Sequence, residues 1–193
     1  MPWAPDYLTV AELKAYLDIG DTVDDALLAV WCTAASRAAD DVCNRQFGKV
    51  AAPVARVYRR RPVYDHTNCL WLVDIDDVQD TTGMTIAGTA YASSGATLLP
   101  DNAPGNGAPW ERLGFMYCPT MPLTVVASWG WTAVPAAVTA AVRLQANRWN
   151  ARRRSPFGVA GSPENGNELR LLARRDPDFM TVLRGLARRK RVG

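Results

Sequence analysis

The sequence has few residues that could hold a metal ion. It contains one histidine, His66, and four cysteines, Cys32, Cys43, Cys69 and Cys118, which are far apart and include no C-x-x-C pair. A zinc site needs closely spaced ligands, so this pattern argues against one. We expect the cysteines to be free thiols and the protein to bind neither a metal nor a cofactor.

Long apolar runs are also absent. No stretch approaches the roughly eighteen consecutive apolar residues that a membrane-spanning helix requires. The first residues, MPWAPDYLTV, contain neither the basic segment nor the apolar core of a secretion signal. We therefore expect no membrane partner and no secretion.

Catalytic signatures are missing as well. The acidic stretch DIDDVQD, residues 74–80, lacks the glycine and the glutamate that complete a calcium-binding loop. The segment GVAGSP, residues 158–163, lacks the Gly-Lys-Ser/Thr of a phosphate-binding loop. His66 follows Asp65, but neighbours in sequence do not make a catalytic pair. These observations predict that the protein is not an enzyme.

Charge is distributed unevenly along the chain. Residues 1–142 contain 9 Lys/Arg and 15 Asp/Glu, whereas residues 143–193 contain 13 and 4, a net of −6 against a net of +9. Arginine outnumbers lysine 19 to 3, which suits fork-shaped contacts with anionic partners, although a GC-rich genome produces the same bias. The last quarter of the chain therefore predicts an anionic partner, either a nucleic acid or an acidic protein surface.

The N-terminal quarter has the periodicity of two helices. Thr9 and Glu12 form a capping box, which predicts a first helix that ends near Asp18. A second capping box, at Thr22 and Asp25, predicts a long helix to about Asn44. We expect its inward stripe to be Leu27, Trp31, Ala34, Ala38 and Val42.

The middle of the chain has the character of short strands. β-branched and aromatic runs are separated by Gly, Pro, Asn and Asp, and they predict strands at residues 54–58, 70–75, 85–91, 115–118 and 123–129. The aspartates between the second and third runs, together with Asp74, predict an acidic loop that faces a partner. Its residues are Asp74, Asp76, Asp77 and Asp80.

Helical periodicity returns after residue 132. Pro135 suits the first turn of a third helix, whose predicted apolar stripe is Val138, Val142, Ala146 and Trp149. Asp176-Pro177-Asp178 predicts the start of a last helix, with an apolar face of Phe179, Val182, Leu183 and Leu186.

Together these patterns predict an α+β chain that is mainly a bundle of about four helices, with a small antiparallel β module inserted between the second and third helices. The expected parts are an N-terminal helical pair at 1–52, the β module at 53–132, and C-terminal helices with a basic tail at 133–193. The boundaries lie within one compact unit.

The N-terminal pattern resembles a known family. The stretch YLTVAELKAYLDIGDTVDDALLAVWCTAASRAADDVCNRQFG is similar to the N-terminal helical pair of head–tail connector proteins (adaptor or head-completion proteins) of long-tailed double-stranded DNA phages. A later stretch, residues 138–161, resembles the third helix and the SP-x-G-V-x-G loop of variants that carry a β insertion. The N-terminal positions that fit the family pattern are Thr9, Glu12, Leu13, Lys14, Leu17, Asp24, Asp25, Leu27, Leu28, Ala34, Ala35, Ser36, Asp40, Cys43, Arg45 and Phe47.

The resemblance implies a structural virion protein. Such subunits form a homo-oligomeric ring of about twelve copies under the portal protein. The ring extends the DNA channel and connects the capsid to the next tail-side protein, a stopper or a tail terminator. Double-stranded DNA passes through the channel without sequence-specific contacts. The implied location is the head–tail junction of the virion, after assembly in the host cytoplasm.

Two interpretations of the basic quarter stay open. A conduit must release DNA, so we expect most of its arginines to dock onto the portal or onto a neighbouring subunit, because many phosphate contacts would hold the DNA back. The alternative is a stand-alone protein that binds DNA non-specifically through this quarter. The candidate docking residues are Arg148, Arg152, Arg153, Arg154, Pro156, Phe157, Arg184, Arg188, Arg189, Lys190 and Arg191.

Overall fold

A computed structural model describes residues 4–153, 159–160, 169–170 and 176–188. Within these residues the chain forms four helices and nine strands, most of the strands belonging to one sheet. The helices are α1 (Val10–Leu17), α2 (Asp25–Cys43), α3 (Ala136–Arg153) and α4 (Pro177–Arg184). The strands are β1 (Val54–Tyr58), β2 (Val63–Asp65), β3 (Leu70–Ile86), β4 (Thr89–Ala90), β5 (Ala96–Leu99), β6 (Trp110–Phe115), β7 (Leu123–Trp129), β8 (Val159–Ala160) and β9 (Leu169–Arg170).

The expectation of a mainly helical bundle with a small β module is wrong. The chain is a sheet-rich α+β protein, in which β1 to β7 form a seven-stranded antiparallel sheet. The sheet order is β1-β7-β3-β6-β5, and β2 and β4 also pair with β3. The prediction failed because it divided one 17-residue strand, β3, into two short strands and a loop.

The chain divides into two compact units. The sheet unit runs from Phe47 to Ala133 and contains β1 to β7. The helical unit contains Pro5–Gln46 and the described residues from Val134 to Arg188. The sequence predicts the β module at 53–132, which lies within the sheet unit.

The sheet unit is built around β3. Its first half pairs with β2 and β6, and its second half pairs with β7 and β4, with shifts of register between Asp74 and Thr85. Such irregularities bend a strand, so one face of both halves can reach the same core. That core contains Val73, Ile75, Val78, Met84, Ile86, Leu98, Leu113, Leu123, Val125, Ala127 and Trp129.

The helical unit packs α2 against α1, α3 and α4. The predicted capping box of α1 is confirmed, since Thr9 and Glu12 exchange hydrogen bonds as expected. The capping box predicted for α2 is wrong, because the helix begins after Asp24, whose side chain makes no cap hydrogen bond. The predicted start of α4 is confirmed, with the Asp176 side chain accepting from the N–H groups of Asp178 and Phe179.

The buried stripe of α2 is shifted by one residue from the predicted stripe. Its fully buried residues are Leu28, Cys32, Ala35, Ser36, Ala39 and Cys43, whereas the predicted stripe is half-buried. In α3 the predicted residues Val138, Val142 and Ala146 are buried, and Trp149 is half-buried against Trp31, with ring centroids 6.0 Å apart. In α4 Phe179 and Leu183 are buried, but Val182 is exposed. None of the helices in the described part of the chain has the length and apolar character needed to cross a bilayer.

Candidate interaction surfaces

Arg148, a predicted docking residue, is tied to another helix of its own unit. Its Nη1 donates to Oδ2 of Asp176 at 2.8 Å, and the two side chains are 19% and 22% exposed. Asp176 also accepts the two N–H groups of the first turn of α4, and its own N–H donates to Oε1 of the buried Gln145. Partial burial raises the pKa of the Asp176 carboxyl, but the hydrogen bonds from Arg148, Asp178 and Phe179 outweigh it and lower that pKa overall. Arg148 therefore holds the start of α4 against α3.

Arg153 forms a second ion pair within the helical unit. Its Nη1 lies 2.8 Å from Oδ1 of Asp24, at the start of α2. These side chains are 45% and 30% exposed, so solvent screens the pair and its contribution to stability is small.

Three other predicted docking residues, Arg152, Arg184 and Arg188, lie in the described part of the chain. Arg184 is exposed on α4, while Arg152 and Arg188 are half-buried. The backbone N–H of Arg188 donates to the carbonyl of Cys43, and Asn44 donates to the carbonyl of Arg188, which ties this segment to the end of α2. The predicted docking residues that lie outside the described residues are Arg154, Pro156, Phe157, Arg189, Lys190 and Arg191.

The four aspartates predicted to form an acidic loop lie in strand β3, so the expectation that they form a loop is wrong. Asp76 accepts hydrogen bonds from Arg56 Nη1 at 2.8 Å and from Tyr58 Oη at 3.0 Å. Burial raises the pKa of the Tyr58 hydroxyl, and the nearby negative charge of Asp76 raises it further. The Arg56 guanidinium also lies 4.7 Å from the Trp129 ring centroid. The Asp76 carboxylate thus already has hydrogen-bond partners within the sheet unit.

The remaining three aspartates differ in exposure. Asp77 is 3% exposed and accepts from Trp131 Nε1. Asp80 is half-buried and accepts the N–H of Thr82. Asp74 is exposed, with its Oδ1 3.8 Å from Arg112 Nε. Asp74 is the one of the four that is exposed as a whole residue, and its side chain is 44% exposed, compared with 38% for the side chain of Asp76.

A groove rich in arginine lies in the sheet unit, and it was not predicted from the sequence. Residues 57–61, 72–74, Val63 and Arg112 line an open groove of about 430 Å³, which we call the arginine groove. Three of its arginines, Arg59, Arg60 and Arg61, form the exposed connection between β1 and β2. The available signal was the run RRR inside a region whose net charge is negative.

The sheet unit also exposes large apolar side chains. On β1 and β2, Val54 is 47% exposed, Val57 is 51% exposed and Val63 is 62% exposed. Met116 and Tyr117, which follow β6, are 69% and 80% exposed. Among the described strands, β1 pairs only with β7 and forms one edge of the sheet. An edge strand and exposed apolar side chains are both features of surfaces that bind another chain.

The described residues contain no cluster of three or more His, Cys, Asp or Glu placed to hold a metal ion. His66 stacks edge-on against Tyr64, with ring centroids 4.9 Å apart. No protein-family model matches the chain, and a search of curated proteins finds no match.

Proposed function

We propose that the protein is a structural adaptor subunit, which forms a homo-oligomeric ring of about twelve copies under the portal of a long-tailed phage. The ring extends the DNA channel and joins the capsid to the next tail-side protein. The subunit acts at the head–tail junction of the virion, after assembly in the host cytoplasm, and it has no catalytic role. The proposal combines the resemblance of the N-terminal sequence with the surface of the sheet unit.

The observation that carries the proposal is the set of large apolar side chains that the sheet unit exposes. Val63, Met116 and Tyr117 each leave more than half of their surface in water. Burying an apolar side chain of this size is worth roughly 1.5–3 kcal/mol, so a partner that covers them gains affinity. Apolar side chains that are exposed to solvent in the monomer are expected where a subunit binds a partner in an assembly.

The family-like residues of the N-terminus support the helical part of the proposal. Lys14 on α1 donates to Oδ1 of Asp25 at the start of α2, at 2.7 Å. Tyr7 Oη donates to Oδ1 of Asp40 on α2, and the Tyr7 N–H donates to Ser36 Oγ. Four positions of the family-like pattern, Lys14, Asp25, Ser36 and Asp40, therefore take part in contacts that fasten α1 and the preceding segment to α2.

The described ion pairs give no support to the alternative of a stand-alone DNA-binding protein. Arg148 and Arg153 each neutralise an aspartate of the same unit, so they contribute less charge to phosphate binding than the sequence suggested. Strong binding of short duplex DNA by the isolated protein, falling steeply with salt, would favour this alternative.

The proposal is tested by mixing the purified protein with portal rings from the same phage genome. We expect the protein to sediment with the portal and to appear as an added ring in negative-stain electron microscopy. Replacing Met116 and Tyr117 with serine should weaken retention on the portal or the recruitment of the tail-side protein. Val30→Ser on α2, where Val30 is 56% exposed, is the matched control. Failure of the unaltered protein to bind portals or to form rings on them would refute the proposal.

A further inference from the structure

The arginine groove has the chemistry of a protein-docking site. Four arginines, Arg59, Arg60, Arg61 and Arg112, and one aspartate, Asp74, line it, which leaves a net charge of +3. Within the described part of the chain, the side chains of Arg59, Arg60 and Arg61 form no ion pair or hydrogen bond. Exposed guanidinium groups with no anion beside them retain their full capacity to bind carboxylates.

The walls of the groove distinguish among anionic ligands. Val57 and Val63 line it and are 51% and 62% exposed. A nucleic-acid backbone would use the arginines but would gain little from covering the valines. A protein segment that carries both carboxylates and an apolar side chain would use both. The groove therefore fits an acidic peptide surface with an apolar tip better than a phosphate chain.

The chain itself has such a surface in the connection between α1 and α2. Residues 18–24, which we call the acidic turn, contain Asp18, Asp21 and Asp24 and no basic residue. Val23, within the turn, is 86% exposed, and Asp18 and Asp21 are exposed beside it. The acidic turn thus presents two carboxylates and one valine to solvent.

Several contacts hold the acidic turn in shape before it binds anything. Asp18 ends α1 in the left-handed conformation, and its N–H donates to the carbonyl of Lys14. Asp21 Oδ1 accepts the N–H of Val23 at 3.0 Å, and Asp24 is paired with Arg153. A surface that is already ordered loses little conformational entropy when it docks.

We propose that the acidic turn of one copy of this chain docks into the arginine groove of a second copy. Asp18 and Asp21 of the first copy lie against the arginines of the second, and Val23 covers Val57 and Val63. The contact joins two different surfaces, so repeating it generates a ring or an open filament. This inference rests on the proposed function, because it names the contact that joins neighbouring subunits of the ring.

A charge-swap experiment tests this contact. The groove variant is Arg59→Glu/Arg61→Glu, which places glutamates against the aspartates of the acidic turn. The turn variant is Asp18→Arg/Asp21→Arg, which places arginines against the arginines of the groove. We expect each variant alone to self-associate at least about tenfold more weakly than the unaltered protein in sedimentation velocity runs. An equimolar mixture of the two variants should recover association, because both kinds of contact in the mixture again join opposite charges. Recovery also shows that both variants are folded.

Two control variants each reverse a single exposed charge outside the groove and the acidic turn. Lys49→Glu reverses an exposed cation of the sheet unit, and Asp101→Arg reverses an exposed carboxylate. Neither should change self-association by more than about twofold, alone or mixed. Raising the salt concentration from about 0.05 M to about 0.5 M should weaken the association of the unaltered protein and of the swapped mixture alike.

The same variants on portal rings separate this inference from the proposed function. If rings form on portals and neither variant impairs them, the groove contact is wrong and the adaptor function stands. If the protein self-associates through the groove but never binds portals, the groove contact stands and the adaptor function is wrong. Absence of association both in solution and on portals would refute both. Loss of duplex DNA binding in the groove variant, with self-association intact, would make the groove a nucleic-acid site and overturn the proposal.

Discussion

The indole Nε1 of Trp131 donates a hydrogen bond of 2.9 Å to Oδ2 of Asp77, and the two residues are only 5% and 3% exposed. The Trp131 ring also packs against Phe47, with ring centroids 5.2 Å apart. This bond connects the middle of β3 to the segment that follows β7. It gives a buried carboxylate a structural role inside the sheet unit.

Replacing Asp77 with alanine should destabilise the protein, because the indole N–H of Trp131 would be left buried without an acceptor. An unsatisfied buried donor costs roughly 1–3 kcal/mol, so we expect a loss of about 2 kcal/mol in the free energy of unfolding. Urea denaturation followed by tryptophan fluorescence measures it. Asp101→Ala, at an exposed turn, should change stability by no more than about 0.5 kcal/mol. Equal effects of the two substitutions would contradict the role assigned to this hydrogen bond.

Asp77 and Asp76 also explain why the extent of the sheet could not be predicted from the sequence. Aspartate is disfavoured in strands, so a cluster of aspartates indicates a loop. Here the partners that satisfy them, Arg56, Tyr58 and Trp131, come from distant parts of the chain. The residues next to Asp76 and Asp77 in the sequence do not indicate that these partners exist. The strand was therefore divided, and the size of the sheet was underestimated.

Gly130 should tolerate no side chain. Its φ is +114°, and a Cβ atom added to it would lie 2.0 Å from the carbonyl oxygen of Gly48 and 2.7 Å from Cα of Lys49. The backbone cannot move away easily, because the Gly130 N–H donates to the carbonyl of Asp77 and the Trp131 N–H donates to that of Gly48. We expect Gly130→Ala to cost more than about 4 kcal/mol and to lower the soluble yield sharply.

Gly88→Ala separates the effect of the close contact from that of the positive φ. Gly88 has a φ of +83°, but an added Cβ would meet no atom within 4 Å. This substitution should therefore cost only the backbone strain, about 1–2 kcal/mol. Circular dichroism and thermal melting of the two variants make the comparison. Similar melting temperatures would show that the segment around Gly48 and Gly130 adapts to a side chain.

The helices were predicted best where a cap fixes their start. Thr9 with Glu12 and Asp176 with Pro177 act within a few residues, so the sequence alone reveals them. The face of α2 was harder, because Leu27 and Leu28 begin two neighbouring apolar stripes of similar strength. The stripe that starts at Leu28 is buried since α1, α3 and α4 all pack onto α2. Periodicity within one helix cannot specify that arrangement.

The ion pair between Arg148 and Asp176 should make stability depend on pH in the acid range. Because the folded-state pKa of Asp176 is lowered, the ion pair stabilises the protein above the ordinary aspartate pKa of about 3.9. This stabilisation is lost as the pH falls through the lower folded-state value. In Arg148→Met the pKa of Asp176 should move up towards its ordinary value, so less stability is lost on acidification.

Urea denaturation at a series of acid pH values tests this. Near neutral pH, Arg148→Met should lower the free energy of unfolding by about 1 kcal/mol, and the difference from the unaltered protein should shrink as the pH falls. Arg152→Met, on the same helix, is the control and should show no such trend. A constant difference at every pH would assign the effect of Arg148→Met to packing instead of charge.

The arginines show a different limit of sequence reasoning. The high net charge of the basic C-terminal quarter predicts an anionic partner there, whereas Arg59–Arg61 lie in a region of net negative charge. The net charge of a region therefore does not predict the arginine groove. The groove forms because Arg112 comes close to the β1–β2 connection. Counting charges along the chain cannot detect residues that only the sheet pairing brings together.

The four cysteines should fall into two reactivity classes. Cys32 and Cys43 are 1% and 0% exposed, and burial raises the pKa of each thiol to about 11. Cys69 and Cys118 are exposed. Near pH 8 only about 0.1% of a thiol with such a pKa is in the reactive thiolate form, and burial further limits the approach of a reagent.

Titration of the native protein with an aromatic disulfide reagent near pH 8 should therefore label two thiols quickly and two at least about a hundredfold more slowly. In Cys69→Ser/Cys118→Ser the fast phase should disappear, while the slow phase should remain. Urea should merge the two phases, because unfolding exposes Cys32 on α2 and Cys43 at its end. A fast phase in the double variant would mean that the helical unit opens around α2 without global unfolding, which contradicts the close packing of α2 against α1, α3 and α4.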